Sequence, residues 1–402
     1  MALEFEKLYQ RRRLIGATAV AAVLAAAGLT SGVMAANAAT PPVLTALTYT
    51  ATGAGGGLRL PSGVSAFNGT VYVSNTSANV FAKLAGGTTT AVAGSLTNFG
   101  EHGDGGQAAS ATLYHPGGSA VDANGDVFIA DSGDNVVREI TPDGVIHRFA
   151  GTGIPGLGFA GPIGFPATLS SLDYSQGVAV DAQGDVFIAD TYNNKVVKVS
   201  PHGLVTAVAG DGIAGYSGDG RLGAFAQLNE PAGVAVDAQG NLYIADSSNN
   251  VIRRVDAKTG IITTVAGNFA ADKANNGLGG FSGDGGPATS AQLNDPQGVA
   301  LDGAGDLFIA DTFNNAIREV TPTGTISTVV NSASANGGIP AAGGETNNAA
   351  PTASKLNTPY GVAVDQSAGV LYIADTKNSK IAEVTNLAQS GSAAGPTAPA
   401  AS

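Results

Sequence analysis

One phrase recurs along the chain and constrains its fold more than any other feature. GVAVDAQGDVFIAD, from Gly177 to Asp190, returns as GVAVDAQGNLYIAD at Gly233, GVALDGAGDLFIAD at Gly298 and GVAVDQSAGVLYIAD at Gly361. Looser copies stand at Gly118 (GSAVDANGDVFIAD) and Gly63 (GVSAFNGTVYVSN). Each copy reads as two short apolar strands joined by a turn whose glycine accepts positive φ, as in Asp237-Ala238-Gln239-Gly240. A third, alternating run (Lys195 to Val199) and a fourth (GIITTVAG from Gly260) complete the unit, with Thr141-Pro142-Asp143-Gly144 as a typical turn between them. The first two strands are apolar at nearly every position, so both of their faces need cover.

Units of four antiparallel strands that cannot bury themselves alone must stack on copies of themselves, and six copies predict an all-β, six-bladed β-propeller. The repeats fall near 61–94, 116–151, 176–210, 231–267, 296–330 and 359–386, and the last of them ends without a fourth strand. The spare strand-like segment Val43 to Thr50, within an N-terminal segment at 39–60, is expected to pair with Ile381 to Val384, completing the last blade and closing the ring.

Ahead of the repeats, Arg11-Arg12-Arg13 precede an uncharged Ala-rich run from Leu14 to Ala36 and an Ala36-Asn37-Ala38 cleavage pattern. That order predicts an export signal over residues 1–38, of the Sec or twin-arginine type, with a retained membrane anchor as the competing reading. The mature protein is then secreted or held in the cell envelope or periplasm. Residues 387–402, rich in Ala, Pro and Ser, read as a disordered tail. The chain has no cysteine, so neither a disulfide framework nor a thiol site is available. Its net charge of −12 becomes −14 without residues 1–38, which carry four positive and two negative side chains. An acidic surface repels phosphate backbones and argues against nucleic-acid binding. A monomer is expected.

The fuller pattern, PxGVAVDxxGxLYIADTxNNxIRxV followed by TVAG, resembles the NHL repeat and is most complete at Pro231 to Val255 and Pro296 to Val320. The run FSGDGGPATSAQLNDP from Phe281 is similar to the version in bacterial secreted NHL proteins and teneurin-type propellers. The first copy departs from the pattern, with Ser74-Asn75 in place of Ala-Asp. The resemblance implies a six-bladed ring but not one function: NHL propellers include scaffolds, sensors and RNA binders, and their relatives include lyases and lactonases.

What recurs in every blade is expected to serve the fold, and what varies is a candidate for function. Asp131, Asp190, Asp246, Asp311 and Asp375 recur, each opening a turn, and are expected to accept backbone N–H bonds across it. The alternative, a ring of carboxylates around a cation, needs all five to point inward. The middle residue of that turn varies: Ser77, Gly133, Tyr192, Ser248, Phe313 and Lys377. These tips belong on the same rim as the long interblade loops, and a fixed frame bearing variable tips is how a binding face is built. Tyr192, Phe313 and Lys377, with Tyr216, Phe281, His102 and His115 from the loops, are the candidate contacts for a protein or glycan. The shared loop phrase (Glu101-His102-Gly103-Asp104-Gly105, Tyr216-Ser217-Gly218-Asp219-Gly220, Phe281-Ser282-Gly283-Asp284-Gly285) is read as a structural turn.

An enzyme is the alternative: a lyase or lactonase with a divalent cation in the central channel. Histidine tests it most sharply. His102 and His115 share one loop, His147 falls in an outer strand and His202 in a turn on the opposite rim, a poor arrangement for one three-ligand zinc site. Asp122-Ala123-Asn124-Gly125-Asp126 hints at a calcium loop but lacks the distal Glu and recurs as a plain hairpin. No G-x-S-x-G setting offers a serine nucleophile. The sequence therefore predicts a binding or scaffold module with no required cofactor.

Overall fold

A computed structural model describes residues 42–47, 50–52, 57–156, 164–330 and 350–385. The expected export signal and C-terminal tail lie outside the described residues. The strands form six sheets, one per repeat. Five blades take their four main strands from one continuous stretch: 63–94, 116–150, 178–209, 231–266 and 296–330. The sixth takes three strands from 359–385, and its fourth is Val43–Leu47, paired antiparallel with Lys380–Thr385 in the register Leu44 to Val384. Because this strand caps the edge of the last blade, deleting residues 41–52 should lower the melting temperature by many degrees. An unchanged melt would contradict a closing role for that strand.

The core lies between blades rather than within them, because each small sheet is apolar on both faces. Phe128, Ala130 and Val137 of the second blade interlock with Val178, Ile188 and Val197 of the third. The same packing joins the third to the fourth through Phe187 and Ile244, and the fifth to the sixth through Phe308 and Ile373. Val64, Val71 and Val73 of the first blade meet Tyr372, Ala374 and Ile381 of the sixth, so the apolar contacts run around a full circle.

The innermost strands show why the phrase begins with glycine. A Cβ on Gly63 would lie 2.3 Å from the Gly117 carbonyl oxygen, and one on Gly118 would lie 2.8 Å from that of Gln176. The series continues from Gly177 to Ala232 (2.2 Å), Gly233 to Gln297 (2.5 Å), Gly298 to Tyr360 (2.3 Å) and Gly361 back to Ser62 (2.6 Å). Each blade's inner backbone is thus seated against the carbonyl of the next, a distance that only a residue without a side chain permits.

The connections are richer than the four-strand pattern foretells. Entering the second to fifth blades, the chain passes antiparallel along the blade's outer edge before reaching its inner strand. On the way it adds short edge strands at Phe165–Pro166 and Arg221–Leu222, and the N-terminal segment adds Thr50–Thr52 parallel to Thr88–Gly94. These pieces cover outer edges that would otherwise present unpaired backbone groups. One helical turn, Phe269–Ala274, sits in the loop between the fourth and fifth blades, with the Asn268 side chain accepting from the Ala271 N–H. Too short to carry a hydrophobic period, neither the edge strands nor this turn is visible in the sequence.

Candidate functional site

The motif after the second strand, Asp-(Ser/Thr)-x-Asn-Asn in its fullest form, decodes residue by residue. It forms a 3₁₀ turn, as in Thr191–Asn193, closed by a left-handed residue such as Asn194 at φ 54°. The Asp carboxylate does not cap this turn, which corrects the expectation stated for it. Its Oδ1 reaches back 17 residues to the loop that enters the same blade, accepting the Asp173 N–H at Asp190 (2.8 Å) and the Asn294 N–H at Asp311 (2.8 Å). Its Oδ2 accepts from the Asn three places on, Asn193, Asn249, Asn314 or Asn378, at 2.7–2.9 Å. All five Asp are fully buried. Each is committed to its own blade, so the ring of inward carboxylates is not formed.

The other motif positions stitch neighbouring blades together. The hydroxyl at the second place donates to the first inner-strand carbonyl of the next blade, Thr312 to Pro359 (2.7 Å) and Thr376 of the last blade to Pro61 of the first (2.7 Å). The closing Asn accepts an N–H from the next blade, as Asn135 does from Tyr174 and Asn194 from Glu230, both at 2.9 Å. Only the middle position has no motif duty for its side chain. Its backbone N–H binds the entering loop, Tyr192 to the Asp173 carbonyl and Phe313 to that of Asn294, so tips and loops do share one rim. Of the candidate tips, Tyr192 is 38% exposed, Lys377 is exposed and Phe313 is half-buried.

The repeated loop phrase has a partner elsewhere in the sequence. Arg138, Arg253 and Arg318 occur on the third strand only in the blades entered by a Gly-Asp-Gly loop, and each is fully buried. Arg253 bridges Asp246 (3.3 Å) and Asp219 (2.8 Å), Arg318 bridges Asp311 (3.2 Å) and Asp284 (2.6 Å), and Arg138 bridges Asp131 (3.5 Å) and Asp104 (2.6 Å). Tyr216 lies over the Arg253 guanidinium and Phe281 over that of Arg318, each at 4.7 Å, and Tyr216 also stacks on Phe269 at 4.0 Å. These two aromatics thus lie as lids over buried charge. In the second blade Glu101 takes the lid position and grips Arg148 with both oxygens at 2.5 Å.

A second departure in the second blade has an electrostatic consequence. Asp134 stands where the third to sixth blades have Asn, so two carboxylates, Asp131 and Asp134, meet in one turn. Burial, reinforced by Glu101, pushes Asp134 up to about 6. A folded pKa above the ordinary value means that this group's contribution is intact at low pH and is lost as pH rises through about 6. Asp134→Asn should therefore stabilise the protein above that pH, by about 1 kcal/mol given solvent screening at a half-exposed site. The gain should vanish toward pH 4, as measured by denaturant unfolding at several pH values.

The sequence did not single out the residue that leads into each inner strand. Leu60, His115, Tyr174, Glu230, Asp295 and Thr358 all hold φ between 46° and 55° and stand one per blade around the mouth of the channel. Only His115 among them was a candidate; five of the six stand directly before a proline, which marks the start of the inner strand but not the left-handed backbone. Over the second and third blades they build an aromatic surface. Phe99 stacks on Tyr114 (5.2 Å), Tyr114 on His115 (4.5 Å) and Tyr174 on Tyr192 (5.2 Å). Burial raises the Tyr192 phenol, with Tyr174, Glu230 and Asp173 adding to the effect, and burial raises the Tyr174 phenol too, with Tyr114 adding to it. Burial also lowers His115.

The channel neck, a cavity of about 100 Å³, is lined by the glycine series with Val, Ala, Ser, Gln and Tyr neighbours such as Val64, Ala232, Ser62, Gln176, Gln297 and Tyr360. None of its lining residues is a carboxylate or an imidazole. Among the described residues no group of three or more His, Asp and Glu is placed to hold a metal ion, and His102 and His115 form no such group with a third residue. The Asp122 hairpin is an Asx turn, its Oδ1 accepting from the Asn124 and Asp126 N–H groups at 2.9 Å.

Comparison with known proteins agrees with this architecture. The model of the teneurin NHL domain matches residues 66–155, 212–276 and 279–348, and the NHL-repeat model matches 172–199. The chain belongs to the NHL-repeat propeller family. It is similar to human teneurin-4, at 31% identity over 232 residues, 54% of this chain but 8% of that protein. The human NHL repeat-containing protein 2 is 26% identical over 67% of this chain and 39% of its own length. The chain thus spans a small part of the curated relatives it matches. Among solved structures, an auxiliary nutrient binding protein from Bacteroides thetaiotaomicron shares the fold at TM-score 0.57 and 14% identity, over 86% of this chain and 76% of that one. A gluconolactonase from Xanthomonas campestris shares it at TM-score 0.52 and 14% identity, over 85% and 88%. Such likenesses establish the fold alone.

Proposed function

We propose that this chain is an exported binding module that holds a protein or glycan on the rim bearing the turn tips and interblade loops, and that it acts as a scaffold or sensor at the cell envelope or outside the cell. The carrying observation is the division of labour within the turn motif. Four of its five positions are committed to hydrogen bonds that hold the blade or its neighbour, and the fifth varies between Ser, Gly, Tyr, Phe and Lys on one rim. A face built in this way can change its contacts without disturbing the ring. The basic, Ala-rich leader supports export, and the Bacteroides auxiliary nutrient binding protein is a precedent for this fold in a binding role. Among the described residues no helix is long and apolar enough to cross a membrane.

The test is capture from envelope extract by the mature protein, compared with a Tyr192→Ala, Phe313→Ala variant of unchanged melting temperature. Partners retained by the first and lost by the second support the reading; identical partners reject the rim. The lyase or lactonase reading draws on the shared fold of the gluconolactonase and requires an ion in the channel. It predicts stoichiometric metal in the purified protein and a thermal shift on chelation. The binding reading predicts neither.

A further inference from the structure

We propose that the aromatic surface over the second and third blades, bordered by Asp173 and Glu230, is a docking site for a basic, extended segment of a partner protein. This rests on the rim being the binding face and adds the chemistry of what it takes. Three features of the surface converge on that ligand.

The first is exposed apolar area in one sector. Phe99 is 62% exposed and stacks on Tyr114, and Tyr192 is 38% exposed and stacks on Tyr174. Ile154, 70% exposed, and Ile213, 61% exposed, stand in the loops that follow the outer strands of the second and third blades. Single exposed apolar side chains are ordinary, but exposed rings stacked in pairs mark an interaction surface.

The second is charge. Asp173 and Glu230 flank the Tyr174–Tyr192 pair closely enough to raise the Tyr192 phenol, and neither carboxylate has an ion-pair partner among the described residues. Glu230 accepts only the neutral Ser248 hydroxyl, at 2.8 Å. The arginines of the second blade are spent elsewhere, Arg138 on Asp104 and Asp131 and Arg148 on Glu101. Lys195, half-buried, is the positive side chain that follows the tip of the third blade.

The third is the kind of polar group on offer. The groups beside the rings are carboxylates and phenols, so the only formal charge they offer a ligand is negative. A guanidinium or ammonium can lie on a tyrosine face and pair with an adjacent carboxylate, using both features at once. The net charge of −12 steers such a segment toward the protein.

Binding is measured by fluorescence anisotropy with three labelled 20-residue peptides of equal length, one Lys/Arg-rich with Gly and Ser, one with Gln at the basic positions and one with Glu. Hexameric N-acetylglucosamine is tested in parallel by calorimetry. The basic peptide is expected to bind and to weaken as salt is raised, and the Gln and Glu peptides are not. A Tyr192→Ala, Glu230→Gln variant should bind it at least tenfold more weakly. Asp143→Asn, which removes one exposed charge from a turn between third and fourth strands on the opposite rim, should leave binding unchanged. Thermal melts check that both variants are folded. Failure of the basic peptide to bind, or equal weakening by Asp143→Asn, overturns the proposal. Sugar binding that Tyr192→Ala abolishes would overturn it while leaving the rim as the binding face.

Discussion

Replacing Arg253 with methionine should cost about 3–5 kcal/mol of unfolding free energy, among the largest effects of any single side chain here. The guanidinium is fully buried and holds Asp246, also fully buried, and the loop carboxylate of Asp219. Its removal leaves the Asp246 carboxyl, already pushed up to about 6 by burial, without its positive neighbour, and takes the platform from beneath Tyr216. Chemical denaturation of Arg253→Met measures the loss. The double variant Arg253→Met, Asp246→Asn should recover part of it, because the cost comes mainly from the charge left behind rather than from the missing pair. A double variant no more stable than the single one would show that the guanidinium stabilises chiefly by packing.

The second large effect is expected at the neck. Gly298→Ala places a methyl group where the Tyr360 carbonyl oxygen now lies 2.3 Å from the Cβ position. Overpacking in cores costs typically about 1–3 kcal/mol, and a loss at or above the top of that range is expected because the obstacle is backbone. The inner strands on both sides are held by the same contacts repeated around the ring, so a shift at one junction must be passed to the next. Gly57→Ala, where nothing lies within 4 Å, should be neutral. Equal melting temperatures for the two variants would mean that the inner strands are not in the close succession described.

How much of this could be read from the sequence follows from what repeats. Repetition gave away the architecture, because a unit with two apolar faces can be satisfied only by copies of itself, and GVAVD with FIAD recurs often enough to number the blades. Repetition also separated frame from face. The recurring Asp looked structural for that reason; its Oδ2 does bond the Asn side chain within its own turn, but the backbone N–H that its Oδ1 accepts comes from a loop 17 residues earlier, as at Asp190. That error has a physical origin, since an Asp opening a turn is locally indistinguishable from a cap, and the loop that competes for its oxygens arrives from a distance. The pairing of Arg138, Arg253 and Arg318 with the Gly-Asp-Gly loops was present as a shared pattern of occurrence, because the first, third and sixth blades lack both. Read together, those two absences would have marked Tyr216 and Phe281 as covers for a buried charge. The mouth residues, Tyr174 and Glu230 among them, carried no mark of their conformation, although five of the six precede a proline. Their importance depends on left-handed backbone and on rings stacked between segments, and both are products of the tertiary fold.

Hydrogen exchange of the protein, measured with and without a captured partner, tests most directly whether the repeated motif builds the frame while one rim carries recognition. Protection is predicted at the entering loops and tips, near 95–99, 113–115, 172–174, 191–193 and 229–230, with the hairpins at 122–126, 181–185 and 302–306 on the opposite rim unchanged. Protection confined to those hairpins, or to the inner strands around the channel, would contradict it.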